Sequence, residues 1–181
     1  MSQFFFGNQI INELNINMNT LILIHSQTGT TLRFAQVIAE KLKAKGASVD
    51  LVQLQADPPI TVVTAMPKRE FSFTNLPDIK KYDLILAGGP IWGFTVSPVA
   101  IDCIRQLKDL HGKKFIPLVT MGFPFEFLGG RQGIAALTRQ AAAQGAEVLP
   151  GQIITQMFRN SQKQMQAAAA EIAASIPEKD K

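Results

Sequence analysis

Short, continuous apolar runs alternate with segments of helical periodicity, and this pattern constrains the fold of the chain most strongly. Residues 21–24 form one such run, and residues 30–45 follow with apolar side chains at helical spacing until Gly46. Strands that are apolar throughout are typical of sheets covered on both faces. Because helices between successive strands require crossover connections, the pattern predicts a mostly parallel α/β sheet with helices on both faces.

The same periodicities predict the other elements. Strands are expected at 49–52, 82–87, 115–120 and, as the last strand, within 146–154, and helices at 97–109, 130–144 and 160–175. The prolines between 54 and 77 argue against a regular helix in that segment. Pro117 has no N–H to donate, so we expect a local irregularity in the fourth strand.

The length fits one ordinary domain, since the chain has 181 residues and no linker or repeat divides it. Residues 1–18 are predicted as an N-terminal extension and residues 19–181 as the domain. The N-terminus lacks a signal-peptide pattern and the chain has a single cysteine, Cys103. We therefore expect a cytoplasmic protein without a disulfide.

Composition excludes several classes of function. Hydrophobic residues make up 46% and charged residues 18% of the chain, which is typical of a folded domain with a buried core. No apolar stretch reaches the roughly 18–20 residues that span a bilayer. The net charge of +4 comes from scattered lysines and arginines and forms no basic stripe. We therefore expect no membrane or nucleic-acid partner, and with one cysteine and two histidines no metal site.

A ligand of such a sheet is expected beyond the carboxyl ends of the strands. The first loop there, 26–31, offers hydroxyls, a glycine and free N–H groups at the start of a helix, which favour an anion such as a phosphate. A polar turn with a good helix cap explains the same residues equally well. Neither a nucleoside-triphosphate loop nor a Gly-x-Gly-x-x-Gly dinucleotide motif is present.

Two further loops contain aromatic residues. Residues 88–95 place Trp92 between Gly89 and Gly93, and Phe94 directly after Gly93. These flat side chains could contact a planar ligand, or Trp92 could cap the edge of the core. Residues 121–130 contain alternating phenylalanines, which could line a ring system, seal the loop or form a subunit contact. A homodimer is thus one interpretation that the sequence leaves open.

Taken in order, these loops resemble those of flavodoxins over residues 19–160. The segment 21–31 is similar to the family's phosphate-binding loop, 82–92 to its third strand and flavin loop, and 112–120 to its fourth strand; 123–133 resembles a bacterial flavodoxin-like subgroup. The resemblance implies a three-layer, doubly wound α/β fold with a five-stranded parallel sheet in the order 2-1-3-4-5.

The resemblance also implies a non-covalent flavin mononucleotide (FMN) as the cofactor. Its phosphate would be held by Ser26, Gln27, Thr28, Gly29, Thr30 and Thr31. Its isoalloxazine ring would be lined by Pro90, Ile91, Trp92, Gly93 and Phe94, with Met121, Gly122 and Phe123 at the other edge.

Three functions stay open on this basis. The first is an electron carrier that passes electrons through FMN to a redox partner protein, and the second is an NAD(P)H-dependent reductase of a small acceptor such as a quinone. The third is a flavin-free interaction module. Whether the chain is an enzyme is left open, and no catalytic residue is predicted, because the flavin would supply the chemistry.

One feature departs from the family, since flavodoxins that carry electrons are typically very acidic and this chain carries +4. An acidic surface repels the anionic reduced flavin, and a neutral or basic one relieves that repulsion. We therefore expect a higher two-electron potential and a less favoured low-potential one-electron couple.

Four other residues could carry chemistry but are predicted not to. Cys103 is expected to be buried, and His25 to pack at a strand end instead of contacting the phosphate. His111 is expected in a solvated turn, and Arg131 on the surface.

Overall fold

The computed structural model of the chain describes residues 18–57, 59–60 and 71–176. Residues 1–17 of the predicted extension 1–18 lie outside the described residues, as do the prolines at 58 and 67. Met18 packs against the core, and its carbonyl accepts a hydrogen bond from the Ser48 amide at 3.2 Å. Within the described residues no helix is both long enough and apolar enough to cross a membrane.

Nine strands are present within the described residues, and most of them are parallel. Their bounds are Asn19–Ile24 (β1), Ser48–Gln53 (β2), Ala56–Asp57 (β3), Ser72–Phe73 (β4), Leu84–Trp92 (β5), Thr95–Val96 (β6), Lys114–Met121 (β7), Glu147–Val148 (β8) and Gln152–Thr155 (β9). The main sheet has the order β2-β1-β5-β7, and β8 and β9 pair in turn with β7 at its far edge. With β8 and β9 taken as one interrupted strand, the predicted order 2-1-3-4-5 is confirmed.

Four helices within the described residues cover the sheet on both faces. They are Thr30–Lys43 (α1), Pro98–Gln106 (α2), Gly130–Ala142 (α3) and Ser161–Ser175 (α4). Each lies where a helix was predicted, although α1, α2 and α3 end slightly earlier. Pro98 takes the first position of α2, where a missing N–H costs no hydrogen bond.

Alternating strand residues divide the core into two layers of side chains. Ile22 and Ile24 belong to the layer under α1 and α4, and Leu21 and Leu23 to the layer under α2 and α3. All four are completely buried, which explains why this strand is apolar at every position. The predicted three-layer, doubly wound architecture is therefore confirmed.

The irregularity expected at Pro117 lies at the junction between two edge strands. β7 pairs with β8 through Lys114 and Phe115, and with β9 from Leu118 onward. Pro117 lies between these two stretches, while its other side pairs with Ala87 of β5. The ladder is thus interrupted on the edge side, where a residue without an N–H is tolerated.

The predicted end of the third strand is wrong. Residues 88–92 were expected to be loop, but β5 continues through Gly88 to Trp92 and pairs with β7 as far as Thr120. Gly88 allows this continuation, because a Cβ at that position would overlap the Leu118 carbonyl oxygen of β7. The glycine therefore permits a close approach of two strands and does not end one.

Candidate functional site

The loop between β1 and α1 lies at the carboxyl edge of the sheet. Ser26 is buried, and its hydroxyl oxygen accepts a hydrogen bond from the Leu32 amide at 3.2 Å. The Ser26 carbonyl accepts another from Gln53 Nε2 at 2.8 Å. Residues 27–29 are exposed beyond this anchored start. The loop is thus fixed at its base and open at its tip.

Two threonines at the start of α1 connect this loop to neighbouring strands. The Thr31 and Thr120 hydroxyls lie 2.8 Å apart in the core, so the Thr31 hydroxyl is directed toward β7. The Thr30 hydroxyl donates to Gln156 Oε1 at 3.2 Å, just beyond the end of β9. Of the predicted phosphate-binding hydroxyls, that of Thr28 lies exposed at the loop tip.

The backbone N–H groups of residues 27–31 have no acceptor among the described residues. The amide of Arg33 is the first to donate to the α1 backbone, to the Gly29 carbonyl at 2.9 Å. Gly29 itself adopts a φ of +88°, which turns the chain into the helix and is a left-handed conformation that favours glycine. Unpaired N–H groups at a helix N-terminus attract anions through hydrogen bonding and the helix dipole.

An apolar cleft of about 240 Å³ opens between the segments that follow β5, β7 and β9. The rings of Phe94 and Phe123 both line it; their planes are 8° apart and their centroids 6.1 Å apart. No charged residue lines the cleft within the part of the chain that the structure describes. The lining residues are Ile91, Gly93, Phe94, Met121, Gly122, Phe123 and Met157.

A hairpin holds Phe94 at this cleft. β5 pairs antiparallel with β6, so the predicted loop over residues 88–95 is instead a strand end and a turn at Gly93 and Phe94. Phe94 has a φ of +66°, and its backbone packs against Gly129, where a Cβ would lie 2.7–2.8 Å from it. Gly129, directly before α3, therefore allows the hairpin to pack against the N-terminus of this helix. Pro90 and Trp92 belong to β5 and are not among the lining residues.

His25 lies behind the phosphate-type loop and contacts the hairpin. Its Nδ1 is 2.7 Å from the Ser97 hydroxyl, and its ring meets Trp92 edge-on at 5.0 Å. The His25 amide donates to the Gly88 carbonyl at 3.0 Å. Burial lowers the pKa of His25 from 6.5 to about 4, so the imidazole is neutral at pH 7. Its predicted packing role at a strand end is confirmed.

The other three residues occupy ordinary structural positions. Cys103 is completely buried, and burial raises the pKa of its thiol, so it has no thiolate character. His111 is exposed, and Arg131 is exposed with its Nε 3.5 Å from Glu126. Within the described residues no group of three or more histidine, cysteine, aspartate or glutamate side chains converges on a point.

The segment after β9 also borders the cleft, and no sequence motif predicted it. The amides of Gln156 and Met157 donate to the carbonyls of Met121 and Gly122 at 3.0 and 2.9 Å, which fixes this segment beside the cleft. Phe158 follows and is 91% exposed. The rule that ligands bind beyond strand ends could have pointed to this segment, because it directly follows the last strand.

No protein-family model matches the sequence, and no curated protein matches it. Solved structures do match the fold. Flavodoxin 2 from Bacillus cereus is 21% identical, with a TM-score of 0.62 over 86% of this chain and 98% of that one. Flavodoxin 1 from the same organism is 18% identical, with a TM-score of 0.61 over 88% and 99%.

The rubredoxin oxygen:oxidoreductase from Desulfovibrio gigas is a longer protein that also matches. It is 16% identical, with a TM-score of 0.60 over 91% of this chain and 37% of that one. These comparisons show that the chain has a flavodoxin-like fold, as its loops predicted.

Proposed function

We propose that this chain binds FMN non-covalently and carries electrons through it. The observation that carries the proposal is the junction between the anion-type loop and the apolar cleft. Thr30 bonds to Gln156, and the next residue, Met157, lines the cleft. A ligand with a phosphate at one end and a planar, largely apolar ring at the other would fit the anion-type loop and the apolar cleft together, and FMN has this chemistry. The flavodoxin-like fold supports the same cofactor.

The phosphate would be held mainly by neutral donors. The N–H groups of residues 27–31 lack protein acceptors within the described residues, and the Thr28 hydroxyl is exposed beside them. Several such donors can share the charge of a phosphate monoester without a lysine. Ser26 and Thr31 would act indirectly, because their hydroxyls hold the loop to α1 and β7.

The ring would lie in the cleft against Phe94 and Phe123. Two nearly parallel phenylalanine rings provide flat apolar faces that suit a planar ring system. Bound FMN would supply reversible electron uptake, and the cleft would orient its ring and exclude water from it. His25, Ser97 and Trp92 would keep the hairpin that carries Phe94 in place.

A visible absorption spectrum of the purified protein, before and after FMN addition and desalting, tests this proposal. Retained flavin bands support it, and a protein that keeps no flavin would contradict it and favour the interaction module. Thr28→Glu should weaken FMN binding at least tenfold, because a carboxylate at the loop tip repels the phosphate.

The matched control for Thr28→Glu is Thr28→Gln, which has a side chain of similar size without the charge and should bind FMN far better. Riboflavin, which lacks the phosphate, should bind both variants equally. Equal FMN affinity of Thr28→Glu and wild type would contradict the assignment of the phosphate loop.

A second candidate is an FMN-dependent reductase that takes a hydride from NAD(P)H and reduces a small acceptor such as a quinone. The uncharged lining of the cleft favours it, because a local carboxylate would disfavour the fully reduced anionic flavin. Steady NAD(P)H consumption by the pure protein with menadione would support the reductase. Turnover that requires a separate reductase protein would support the carrier.

A further inference from the structure

The large apolar side chains that are exposed within the described residues all lie at the carboxyl edge of the sheet. They are Phe94, Phe123, Phe125, Phe127, Met157 and Phe158. Phe94, Phe123 and Met157 line the cleft, so a ligand there would cover them. The other three, Phe125, Phe127 and Phe158, do not line it; we call these three the aromatic face. A ligand in the cleft leaves their exposure unexplained.

The aromatic face has a defined structure. Phe125 and Phe127 stack with centroids 5.5 Å apart and planes 18° apart. Their loop is braced by the Leu128 amide, which donates to the Phe125 carbonyl at 3.0 Å, and by Gln132 Nε2, which donates to the Phe127 carbonyl at 3.3 Å. Phe158 has a φ of +59° and is 91% exposed. A bulky residue in this conformation is strained, and in the single chain no burial of its ring compensates for the strain.

The composition around the aromatic face is that of a protein interface. The segments 91–95, 121–131 and 156–160 contain phenylalanine, methionine and two arginines but none of the chain's lysines. Phenylalanine, methionine and arginine are enriched at protein–protein interfaces, and lysine is depleted there. A surface that only contacts water would show the opposite bias.

We propose that the aromatic face is the contact between two copies of this chain in a two-fold symmetric dimer. The exposed fractions of its residues add up to about two whole phenylalanines, or roughly 400 Å² per copy at about 200 Å² each. Because apolar atoms make up about 65% of a homodimer interface, a contact that buries all of this area would cover about 600 Å² per copy, somewhat below the roughly 800 Å² of a standard interface and within the range of stable ones.

A second copy fits this surface better than the other occupants. Transient electron-transfer contacts are small, whereas a permanent contact covers an apolar face at all times. Insertion into a bilayer would require protruding side chains, and only Phe158 protrudes, since Phe125 and Phe127 are 54% and 61% exposed. Symmetric dimers are the commonest permanent assemblies of soluble proteins.

The dimer bears on the proposed function, and this step depends on the FMN site proposed above. Phe158 directly follows Met157, and Phe125 lies two residues after Phe123, so the aromatic face continues into the cleft. A copy seated on it overlies the cleft mouth and supplies the outer wall that one chain lacks. In the dimer a small acceptor would reach this site more readily than a docked protein, which favours the second candidate function over the carrier.

The first test is the molar mass of the purified protein, measured by light scattering after size exclusion from low to high micromolar concentration. Wild type should be a dimer. Phe158→Gly and Phe125→Ser should each raise the dissociation constant of the dimer about a hundredfold or more. In a two-fold symmetric dimer each substitution removes an apolar contact from both copies. Asp109→Gly is the matched control for Phe158→Gly, since Asp109 has a similar φ of +62° but lies away from the aromatic face, and it should stay dimeric.

A monomeric wild type would overturn the proposal in favour of a different partner for the aromatic face. A dimer that persists in both variants would overturn it too, because the contact would lie elsewhere. These results do not depend on flavin, so a dimer without bound FMN would support the interface while contradicting the proposed function.

The second test concerns the flavin-loaded protein, reduced with dithionite and mixed anaerobically with one of two acceptors. Menadione takes two electrons and one proton from each anionic reduced flavin and a second proton from water. Two molecules of cytochrome c take one electron each, and the flavin's proton goes to water. Phe158→Gly should increase the ratio of the cytochrome c rate to the menadione rate about tenfold, because the larger acceptor gains more from an open cleft mouth. An equal ratio in wild type and variant would overturn the proposal that the second copy covers the cleft.

Discussion

Acid should destabilise this fold through His25. Its imidazole is buried against Trp92 and lies 2.7 Å from the Ser97 hydroxyl, and burial lowers its pKa from 6.5 to about 4. Between these two values the unfolded chain binds a proton that the folded chain does not bind. The free energy of unfolding therefore falls as the pH falls through this window. An interval of about 2.5 pH units at 1.36 kcal/mol each gives a loss of about 3 kcal/mol.

Urea unfolding followed by the fluorescence of Trp92, the chain's only tryptophan, measures this loss. Wild type is compared with His25→Gln between about pH 7 and pH 4.5, since the difference between them cancels the titration of the carboxylates. Wild type should lose up to about 1.4 kcal/mol more per pH unit than the variant. The exposed His111 supplies the control, and His111→Gln should follow wild type. Parallel curves for wild type and His25→Gln would refute the reasoning.

Three further substitutions test the core and the hairpin. Thr20→Val should raise the free energy of unfolding, measured by urea denaturation, by about 1 kcal/mol. The reason is that the buried Thr20 hydroxyl has no hydrogen-bond partner among the described residues. Thr31→Val should cost about 1–3 kcal/mol by stranding the Thr120 hydroxyl, and adding Thr120→Val should recover part of that cost; additive losses in this cycle would contradict a direct bond. Gly129→Ala should lower both the melting temperature of the protein and its affinity for FMN, because the added methyl group would displace the Phe94 backbone. An unchanged FMN affinity would contradict a role of the Phe94 hairpin in FMN binding.

The layered fold could be predicted from the sequence because each strand is buried on both sides. Ile22 and Leu23 lie on opposite faces of the sheet, and both faces are covered by helices, so the strand carries no polar alternation. Gly46 and Gly145 both adopt positive φ just beyond α1 and α3, which is why they were visible as helix ends. Residue patterns within a single segment therefore predicted these elements, because the burial and the backbone conformation of each depend mainly on that segment.

The site could be predicted only in part, because its remaining features depend on neighbours distant in sequence. Gly88 and Gly89 have the composition of a turn, but both pair with β7, and the Leu118 backbone of β7 approaches Gly88 closely, so both are strand residues. Gln156 and Met157 carry no motif of their own. Their position at the cleft comes from hydrogen bonds that their backbone amides donate to the carbonyls of Met121 and Gly122 at the end of β7, and no local sequence pattern indicates these bonds.

The charge that matters for a flavin in the cleft is local. The net charge of +4 was the basis for expecting a higher two-electron potential, but exposed charges more than about 8–10 Å away are largely screened at physiological salt. Within the described residues, the lining has no charge, and Glu126 on the adjoining loop lies 3.5 Å from Arg131. The repulsion that an acidic carrier exerts on its reduced flavin would therefore be weak here, because the described lining holds no carboxylate and Glu126 is paired with Arg131. The expectation of favoured two-electron chemistry thus rests on the cleft itself, and it would hold even if the distant lysines were neutralised.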